Sequence, residues 1–468
     1  MTTEITIPLW QFVLLSILAL VVILKQFLFP SVRWFFRKKI NRAINELNQR
    51  LNTEIRPFQL TKRQVLLDRL TNDPQVLIFL QAHAINEGIP REVLMENVQK
   101  YAREIVPSFN AYIYYRLGYW LSKKIAKLLY RVRVREESRA HLEGINKDST
   151  VVYVMNHRSN MDYILVAFLI AEKMTLSYAV GEWAKVWPLQ GLVKSMGAYF
   201  VRRNSKNPLY RKVLERYIAM ATKEGVCQAV FPEGGLTRDG AIRSPKLGIL
   251  DYMLRNYNCA EDRDIVFIPV GINYDRVLED RSLLRLLPPK QPYKSRWFMI
   301  KTIFKFWTHH MRLASKKQWK KFGYASVSFA NPVSVKSYCI AQNIDFTKLD
   351  TRERFDEVSV LANSLMLGIE KTVPIVPVVL MASIFLKNKA KLVTRAQAKQ
   401  YARELMESIE SQGGHVVFPH KDKEINLDSG IDLLHMRHLI ELDKGGYIVP
   451  PESIQLLRYY ENSMLCWL

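Results

Sequence analysis

Beyond Gly144 the chain alternates short apolar runs with longer stretches of helical periodicity, and no other feature constrains its fold as much. The apolar runs lie at 151–155, 176–180, 199–201, 229–231, 266–270 and 326–329. The helical stretches lie at 161–173, 207–224 and 246–256. Buried strands that alternate with helices are typical of an α/β domain, because crossover helices cover the faces of the sheet.

Helical sequence flanks this α/β segment on both sides. Residues 61–134 carry apolar stripes at helical spacing, and residues 394–468 also have helical periodicity. The apolar segment 373–386 has 14 residues, which is short for a membrane span and favours a buried or interfacial helix. The chain is therefore predicted to have four regions: a transmembrane anchor at 1–31, a helical N-terminal region at 32–143, an α/β domain at 144–340 and a helical C-terminal region at 341–468.

The N-terminal segment 8–24 contains 17 residues, of which all but two are apolar. This length is close to the minimum for one transmembrane helix. Only Glu4 is charged before the segment, whereas six basic residues follow it between Lys25 and Arg42. Because a signal peptide needs a basic region before its apolar run, the pattern predicts an uncleaved anchor in the cell (inner) membrane with the body on the cytoplasmic side. The alternatives are a buried helix and an interfacial hairpin.

The chain is strongly basic, since 68 Lys and Arg against 44 Asp and Glu give a net charge of +24. This charge favours anionic lipid, phosphorylated metabolites or nucleic acid as partners. Basic and aromatic residues are interleaved over 290–321, which suits a lipid headgroup layer as well as nucleic acid. A predicted helix over 112–133 is also basic and suits either a solvated face or a membrane surface. The apolar segment 8–24 favours anionic membrane lipid over nucleic acid as the partner of these basic regions.

The overall composition excludes several classes of protein. A charged fraction of 24% argues against a polytopic membrane protein. The four cysteines show neither metal-ligand spacing nor the density of a disulfide scaffold, which favours a reducing compartment. We expect no metal site, because no cluster of ligands has suitable spacing.

His157 and Asp162 are the candidate catalytic pair. They follow the run 151–155 in a polar loop, and Ser159 and Asp162 have the spacing of a helix capping box. His157 is thus predicted at the carboxyl end of a strand, where ligands bind in open α/β sheets. Because the helix begins between the two residues, Asp162 can turn back and hold the imidazole. Such a histidine can serve as general base in acyl transfer, and a structural capping or core pair is the alternative.

A pair of arginines follows another predicted strand. Arg202 and Arg203 come directly after the apolar run 199–201. Adjacent guanidinium groups at a strand end can clamp a phosphate, and plain surface charge is the alternative.

A glycine-rich loop follows the run 229–231. It contains Glu233, Gly234 and Arg238, and Lys246 stands at the start of the next predicted helix. Glycines permit close approach of a ligand to the backbone, and Arg238 supplies positive charge. An ordinary turn is the alternative.

In this order and spacing, the segments resemble the four blocks of the glycerolipid acyltransferases, and among them the membrane-bound glycerol-3-phosphate/dihydroxyacetone-phosphate acyltransferase family. The first block, H-x4-D, is complete in residues 157–162. The second block, G-x-x-F-x-R, is matched by Gly197, Phe200 and Arg202. The third block, F-x-E-G-x-R-S, is matched by Phe231, Glu233 and Gly234, and the fourth by 268–270. The resemblance covers most of the chain from about Leu60 onward.

The resemblance implies a mixed sheet flanked by helices, which is the glycerolipid acyltransferase fold. It also implies that His157 and Asp162 form the catalytic dyad, and that glycerol 3-phosphate is held by Arg202, Glu233, Gly234 and Lys246. The third block departs from the family pattern, because Leu236 and Thr237 stand where Arg and Ser are usual. A phosphate contact is therefore predicted to have moved to Arg203 or Arg238, unless the acceptor differs.

The predicted activity is transfer of a fatty acyl group from acyl-CoA or acyl carrier protein to the sn-1 hydroxyl of glycerol 3-phosphate. The product is lysophosphatidate, an intermediate of phospholipid biosynthesis, and neither a cofactor nor a metal is expected. Acylation of lysophosphatidate is the alternative reaction, and a noncatalytic basic membrane tether is the alternative class. The sequence contains no recognisable nucleic-acid-binding module, which argues against a nucleic-acid partner.

Overall fold

A computed structural model describes residues 8–10, 12–13, 15–16, 19, 55–135, 142, 144–170, 174–181, 189–202, 205–285, 287, 322–418 and 422–468. The chain divides into two compact units, residues 1–54 and residues 55–468. Most of the apolar segment 8–24, the basic and aromatic stretch 290–321 and Arg203 lie outside the described residues. Within the described ranges, no helix combines the length and the apolar character needed to cross a bilayer. The transmembrane anchor stays a prediction.

In the described part of the chain, residues 55–468 form a mixed sheet of eight strands and a separate two-stranded hairpin. The sheet strands are β1 Arg131–Val134, β2 Thr150–Met155, β3 Ser177–Val180, β4 Tyr199–Phe200, β5 Gln228–Val230, β6 Ile265–Tyr274, β7 Tyr324–Phe329 and β8 Val333–Ser334. The hairpin strands are β9 Glu441–Asp443 and β10 Gly446–Ile448.

The helices before β5 are α1 Pro57–Leu60, α2 Arg63–Thr71, α3 Pro74–Glu87, α4 Arg91–Ile105, α5 Tyr119–Leu129, α6 Met161–Ile170, α7 Leu189–Ser195 and α8 Pro208–Lys223. A π-helix at Ile113–Gly118 leads into α5. The later helices are α9 Gly248–Leu254, α10 Asp280–Leu284, α11 Val335–Gln342, α12 Thr351–Thr372, α13 Pro377–Lys387, α14 Arg395–Ser411, α15 Lys423–Met436 and α16 Ile454–Glu461. Short 3-10 helices lie at Pro451–Ser453 and Asn462–Trp467.

The strand order is β1-β7-β6-β2-β5-β3-β4, with β8 paired to β6. Strand β2 lies at the centre, parallel to β6 on one side and to β5 on the other. The pairs β5–β3 and β3–β4 are also parallel, whereas β7 and β8 run antiparallel to β6. The carboxyl ends of β2, β5, β3 and β4 therefore meet at one edge of the sheet. These pairings confirm the expected mixed sheet flanked by helices.

Alternate side chains of β2 pack into two hydrophobic cores, one on each face of the sheet. Val151, Tyr153 and Met155 belong to the core that also contains buried residues of α6, α13, α14, α15 and α16. Val152 and Val154 belong to the opposite core, formed with α2, α3, α4, α8, α9 and α12. Successive strand residues point to opposite faces, so a strand buried on both faces is apolar throughout.

The apolar segment 373–386 forms the buried helix that was one of its two predicted structures. Helix α13 spans Pro377–Lys387, and every residue from Pro377 to Leu386 is buried. A helix that is apolar on all sides has no solvated face and is stable only inside a core. The C-terminal region therefore shares a core with the sheet.

Two local predictions were wrong. The helix expected over 112–133 ends at Leu129, and Arg131–Val134 forms strand β1, parallel to β7. Its Arg-Val-Arg-Val alternation has the two-residue period of a strand with one solvated face. The C-terminal region is also not entirely helical, because β9 and β10 form an antiparallel hairpin.

Candidate active site

The loop after β2 carries His157 at the edge where the parallel strands end. Asn156 fixes the start of this loop, because its side-chain amide donates to the carbonyl of Ile272 at 2.9 Å and its amide oxygen accepts from the Ile272 N–H at 2.8 Å. The chain leaves the sheet at this point and enters α6 at Met161. The sequence-based prediction of His157 on a loop between a buried strand and a helix is confirmed.

His157 and Asp162 contact each other directly. Nδ1 of His157 lies 2.9 Å from Oδ2 of Asp162, and both residues are buried. Since an ionised carboxylate can only accept hydrogen bonds, the proton of this bond belongs to Nδ1. The same Asp162 oxygen accepts the backbone N–H groups of Arg158 at 2.8 Å and Ser159 at 3.0 Å. Ser159 Oγ in turn accepts the Met161 N–H at 3.1 Å, so the helix start is capped as predicted.

The second ring nitrogen of His157 is buried and has no hydrogen-bond partner among the described residues. Aromatic rings enclose the imidazole: the Phe231 ring lies 4.1 Å away by centroid at 30°, and the Tyr163 ring 5.4 Å away at 85°. A buried polar atom without a partner is costly unless a ligand satisfies it. When the imidazole proton lies on Nδ1, Nε2 has a lone pair that can accept a proton from a bound hydroxyl.

Glu233 ties the glycine-rich loop to the His157 loop. Its Oε1 accepts the backbone N–H of His157 at 2.8 Å, and its Oε2 accepts that of Arg243 at 3.3 Å. The Thr237 N–H donates to the His157 carbonyl at 2.9 Å, which closes a second link. Burial raises the pKa of Glu233 to about 7, against the opposing effect of these backbone hydrogen bonds. The predicted site residue Glu233 is 4% exposed, and both of its carboxylate oxygens accept backbone N–H groups.

Gly234 and Lys246 lie against each other in the same loop. Gly234 has a φ of +67°, and a Cβ at this position would stand 2.6 Å from Cδ of Lys246. The Lys246 backbone N–H donates to the Pro232 carbonyl at 2.8 Å, while its side chain is exposed. The left-handed backbone conformation therefore favours glycine at 234, whereas the flexible Lys246 side chain could move aside, and the Lys246 ammonium is available to solvent or ligand.

The departure at 236 and 237 has a clear structural setting. Leu236 is half-buried and packs against the core that contains Tyr153 and α13. Thr237 is buried, and its hydroxyl donates to the Ala241 carbonyl at 2.7 Å and accepts the Gly240 N–H at 3.1 Å. Arg238 is exposed. The loop therefore directs a side chain inward at 236 and a cation outward at 238.

Arg202 lies apart from His157 at the far end of the same sheet edge. It follows β4, three strands from β2, which corresponds to roughly 14 Å across the sheet. Its Nε and one Nη donate to the two carboxylate oxygens of Glu104 at 2.9 and 2.6 Å. The guanidinium also lies 5.1 and 5.0 Å from the ring centroids of Tyr101 and Tyr210. The bonds to Glu104 raise the pKa of Arg202 above its usual range.

Several residues that hold the site gave no signal in the sequence. Glu279 accepts the Ser159 hydroxyl at 2.7 Å and the Asn160 side-chain amide at 3.1 Å, and burial raises its pKa. The Tyr274 hydroxyl donates to Asp162. Both residues lie more than 100 positions from their partners, outside the motif blocks. Only the position of Tyr274, four residues after the fourth block, could have drawn attention to it.

The C-terminal helix α16 and the residue that follows it contact the two loops that carry the site. The buried Arg158 guanidinium donates to the Gly240 carbonyl at 3.1 Å and to the Tyr459 carbonyl at 3.5 Å, and it lies 5.0 Å from the Tyr459 ring centroid. Asn462 adds a bond from its side-chain amide to the Asp239 carbonyl at 2.9 Å. The H-x4-D loop, the glycine-rich loop and the C-terminal region thus form one hydrogen-bonded assembly.

Comparison with known proteins agrees with this geometry. Residues 131–273 match the acyltransferase family, and residues 310–468 match the glycerol-3-phosphate acyltransferase C-terminal region. The chain is 26% identical over 424 residues to a glycerol-3-phosphate acyltransferase from Aeromonas hydrophila, and 26% identical over 429 residues to one from Glaesserella parasuis. Each alignment covers 87% of this chain and 50% of the relative. The chain spans about half the length of the curated relatives it matches.

A solved structure, the 1-acyl-sn-glycerophosphate acyltransferase from Thermotoga maritima, is 18% identical to the chain with a TM-score of 0.31. The match covers 65% of this chain and 96% of that one. At this TM-score the likeness bears on neither fold nor function.

The family match identifies residues 131–273 as an acyltransferase domain, and this region contains the His157–Asp162 pair at the carboxyl edge of a mostly parallel sheet. The chain is similar to the acyltransferase family over 131–273 and to the C-terminal region of glycerol-3-phosphate acyltransferases over 310–468. The resemblance predicted from the four blocks is confirmed.

Proposed function

We propose that this protein transfers a fatty acyl group from an acyl thioester to the sn-1 hydroxyl of glycerol 3-phosphate. The observation that carries the proposal is the asymmetry of His157: Nδ1 is bonded to Asp162, while Nε2 is buried without a partner among the described residues. Both relatives named above are glycerol-3-phosphate acyltransferases, which supports this choice of acceptor. The donor is acyl-CoA or acyl carrier protein.

The chemistry follows from the protonation of the imidazole. Nε2 removes the proton of the acceptor hydroxyl as its oxygen attacks the thioester carbonyl carbon, and Asp162 stabilises the resulting imidazolium. When the tetrahedral intermediate collapses, the carbon–sulfur bond breaks and the thiolate takes the proton back from Nε2. A new ester and a free thiol result, and His157 returns to its starting state without a covalent acyl-enzyme.

Cations of the glycine-rich loop are the proposed contacts for the phosphate of the acceptor. Lys246 and Arg238 are exposed, and Arg243 is half-buried with its positive charge acting on Glu233. The Glu233 carboxylate accepts the backbone N–H groups of both His157 and Arg243, so it connects the Arg243 backbone to the backbone of the proposed base. Arg202, which follows β4 and is bonded to Glu104, is a more distant candidate on the same sheet edge, and Arg203 is a candidate from its position in the sequence. Guanidinium and ammonium groups are the usual ligands of phosphate esters.

The test uses isolated membranes that contain the full chain, supplied with labelled glycerol 3-phosphate or labelled lysophosphatidate. Each acceptor is paired with acyl-CoA and with acyl carrier protein. Wild type is expected to acylate glycerol 3-phosphate, and His157→Ala is expected to lose at least 1000-fold in rate, since the base is removed. His83→Ala serves as the control, because His83 stacks on Phe79 in α3 and belongs to no part of the site.

The outcomes separate the candidate functions. Full activity of His157→Ala would refute the general-base mechanism. A preference for lysophosphatidate would keep that mechanism and replace the acceptor, the alternative that Leu236 in place of the usual arginine leaves open. No transfer to either acceptor would favour the noncatalytic tether.

Attachment to the cell (inner) membrane through residues 8–24, with the body on the cytoplasmic side, is a further part of this proposal. It is supported by the length of the apolar run and by the basic residues that follow it. On the unit 55–468, Leu117 and Trp120 are exposed, and the Lys124 ammonium lies 4.8 Å from the Trp120 ring centroid. Exposed apolar groups next to lysines suit an anionic lipid surface. Retention in membranes after an alkaline carbonate wash is expected, and release by the wash would refute the anchor.

A further inference from the structure

A tyrosine outside the four motif blocks completes the hydrogen-bonding of the catalytic pair. The Tyr274 hydroxyl donates to Oδ1 of Asp162 at 2.6 Å. Tyr274 is the last residue of β6, the strand next to β2, and its side chain is fully buried. The parallel pairing of β2 with β6 therefore places this hydroxyl beside the start of α6.

The two oxygens of Asp162 have different surroundings. Oδ2 accepts from Nδ1 of His157 and from the backbone N–H groups of Arg158 and Ser159. Oδ1 accepts only from Tyr274 among the described residues. Since the backbone bonds belong to the loop itself, Tyr274 is the side chain that fixes the other half of the carboxylate from a different element of the fold.

Tyr274 is suited to remain a donor throughout the working pH range. Burial raises its pKa well above the usual value, and the nearby Asp162 carboxylate raises it further. Tyr130 and Glu279 also face Tyr274 and act in the same direction. The hydroxyl proton is therefore retained, and the bond to Asp162 persists whether His157 is neutral or protonated.

The position of Tyr274 is fixed by its neighbours. Its ring packs against the Tyr130 ring at 5.1 Å between centroids, and the Tyr130 hydroxyl is held by the Arg276 carbonyl at 2.7 Å. The backbone N–H of Tyr274 donates to Oδ1 of Asn273 at 2.9 Å. A buried tyrosine held on both sides gives Asp162 a donor that does not move with the loop.

We propose that Tyr274 is a positioning residue for acyl transfer, which acts on His157 through Asp162. This inference rests on the proposed function. The hydroxyl holds the Asp162 carboxylate in the plane that directs Nε2 toward the acceptor, and it withdraws negative charge from Asp162. Without it, Oδ1 is buried with no donor, and the carboxylate is free to rotate away from Nδ1.

The test compares Tyr274→Phe with Tyr130→Phe in full-length protein, with whichever acceptor wild type acylates. Both substitutions remove one buried tyrosine hydroxyl from the same aromatic pair and keep the ring contact that positions residue 274, but only the Tyr274 hydroxyl touches Asp162. For Tyr274→Phe we expect kcat to fall roughly tenfold or more, with KM for donor and acceptor unchanged. The acid limb of kcat/KM should move to higher pH, because an Asp162 that keeps more of its charge favours the imidazolium. Tyr130→Phe should change neither kcat nor this limb.

A double-mutant cycle separates this inference from the proposed function. Thermal midpoints are measured for wild type, Tyr274→Phe, Asp162→Ala and the double variant. A hydroxyl that acts on Asp162 lowers the midpoint in the wild-type background and much less in the Asp162→Ala background. Additive midpoint losses, or a Tyr274→Phe enzyme with wild-type kcat and pH profile, would overturn the inference. Inactivity of wild type on both acceptors would overturn the proposed function instead, and the cycle alone would then decide whether Tyr274 acts on Asp162.

Discussion

Glu233 Oε1 accepts the backbone N–H of His157 over 2.8 Å, so one carboxylate joins the glycine-rich loop to the loop of the proposed general base. The same carboxylate accepts the Arg243 N–H through its other oxygen. Two hydrogen bonds to backbone N–H groups, one at each loop, thus depend on a single buried side chain. The ionisation of Glu233 consequently affects both the stability of the fold and the position of His157.

Replacement of Glu233 by Gln is predicted to change the pH dependence of stability. Burial raises the pKa of Glu233 from 4.5 to about 7 in the folded protein. As the pH rises, the Glu233 carboxyl ionises in the unfolded chain before it ionises in the folded protein. Its contribution to the free energy of unfolding is therefore fully present below pH 4.5 and is lost as the pH rises to about 7. The loss corresponds to about 3 kcal/mol. Glu233→Gln cannot ionise, and the free energy of unfolding, measured by urea titration, should fall less between pH 4.5 and 7 than in wild type.

A second buried carboxylate makes the comparison with Gln necessary. Burial also raises the pKa of Asp275 to about 7 and raises that of Glu279, so Glu233 is not the only group that lowers wild-type stability as the pH rises. Asp275 is unchanged in Glu233→Gln, and the difference between the two proteins isolates Glu233. Parallel stability curves for wild type and variant would contradict the prediction.

Replacement of Arg202 by Ala is predicted to raise the KM for glycerol 3-phosphate more than the KM for the acyl donor. Loss of one charged hydrogen bond to phosphate corresponds to about 1.5 to 3 kcal/mol, or roughly a 10- to 100-fold change in KM. Initial rates over a range of each substrate provide the measurement. Equal changes in both KM values would remove Arg202 from the phosphate site.

Glu104→Gln is the companion to that experiment. Glu104 occupies two donors of Arg202 and neutralises its charge. If Arg202 binds the phosphate, removal of the Glu104 charge should lower the KM for glycerol 3-phosphate severalfold while the KM for the donor stays unchanged. An unchanged acceptor KM, together with reduced stability, would mean that the Arg202–Glu104 pair serves only to attach α4 to β4.

Replacement of Gly240 by Ala is predicted to disrupt the attachment of α16. Gly240 has a φ of +87°, and a Cβ there would lie 1.8 Å from the Tyr459 carbonyl oxygen. Because that oxygen is backbone, the loop or the helix must shift, and the bond from Arg158 to the Gly240 carbonyl shifts with it. We expect a loss of at least about 2 kcal/mol in the free energy of unfolding and a lower kcat.

Gly413→Ala is the matched control for this substitution. Gly413 has a similar φ of +83°, but no heavy atom lies within 4 Å of the position its Cβ would take. Its replacement costs only the left-handed backbone conformation, about 1 kcal/mol. Equal destabilisation by the two variants would show that the contact with Tyr459 is unimportant.

The parts of the site that depend on local sequence could be predicted. His157 and Asp162 are five positions apart in the sequence, and a strand end followed by a helix start brings them together without information from elsewhere. The strands from β2 to β7 were also accessible, because burial on both faces favours short, mainly apolar runs. Strand β1 was missed because its four residues adjoin a helix and were assigned to the helical period.

The parts that depend on register between distant segments could not be predicted. Tyr274 reaches Asp162 across 112 positions, and Glu279 reaches Ser159 across 120. Glu104 meets Arg202 only because α4 packs beside β4, 98 positions earlier in the chain. No periodicity or motif encodes such contacts, since each is set by how the sheet pairs and how the helices pack against it.

Arg243 and Arg238 allow the proposed phosphate contact to be tested within one loop. Leu236 packs against the core, so under this proposal the guanidinium usual at that place comes from another residue. Arg243 is half-buried and its backbone is bonded to Glu233, whereas Arg238 is exposed. We therefore expect Arg243→Ala to raise the KM for glycerol 3-phosphate at least tenfold, and Arg238→Ala to raise it by less than threefold, because an exposed cation is screened by solvent. Initial rates at saturating donor provide the measurement, and a larger effect of Arg238→Ala would assign the phosphate contact to Arg238 instead.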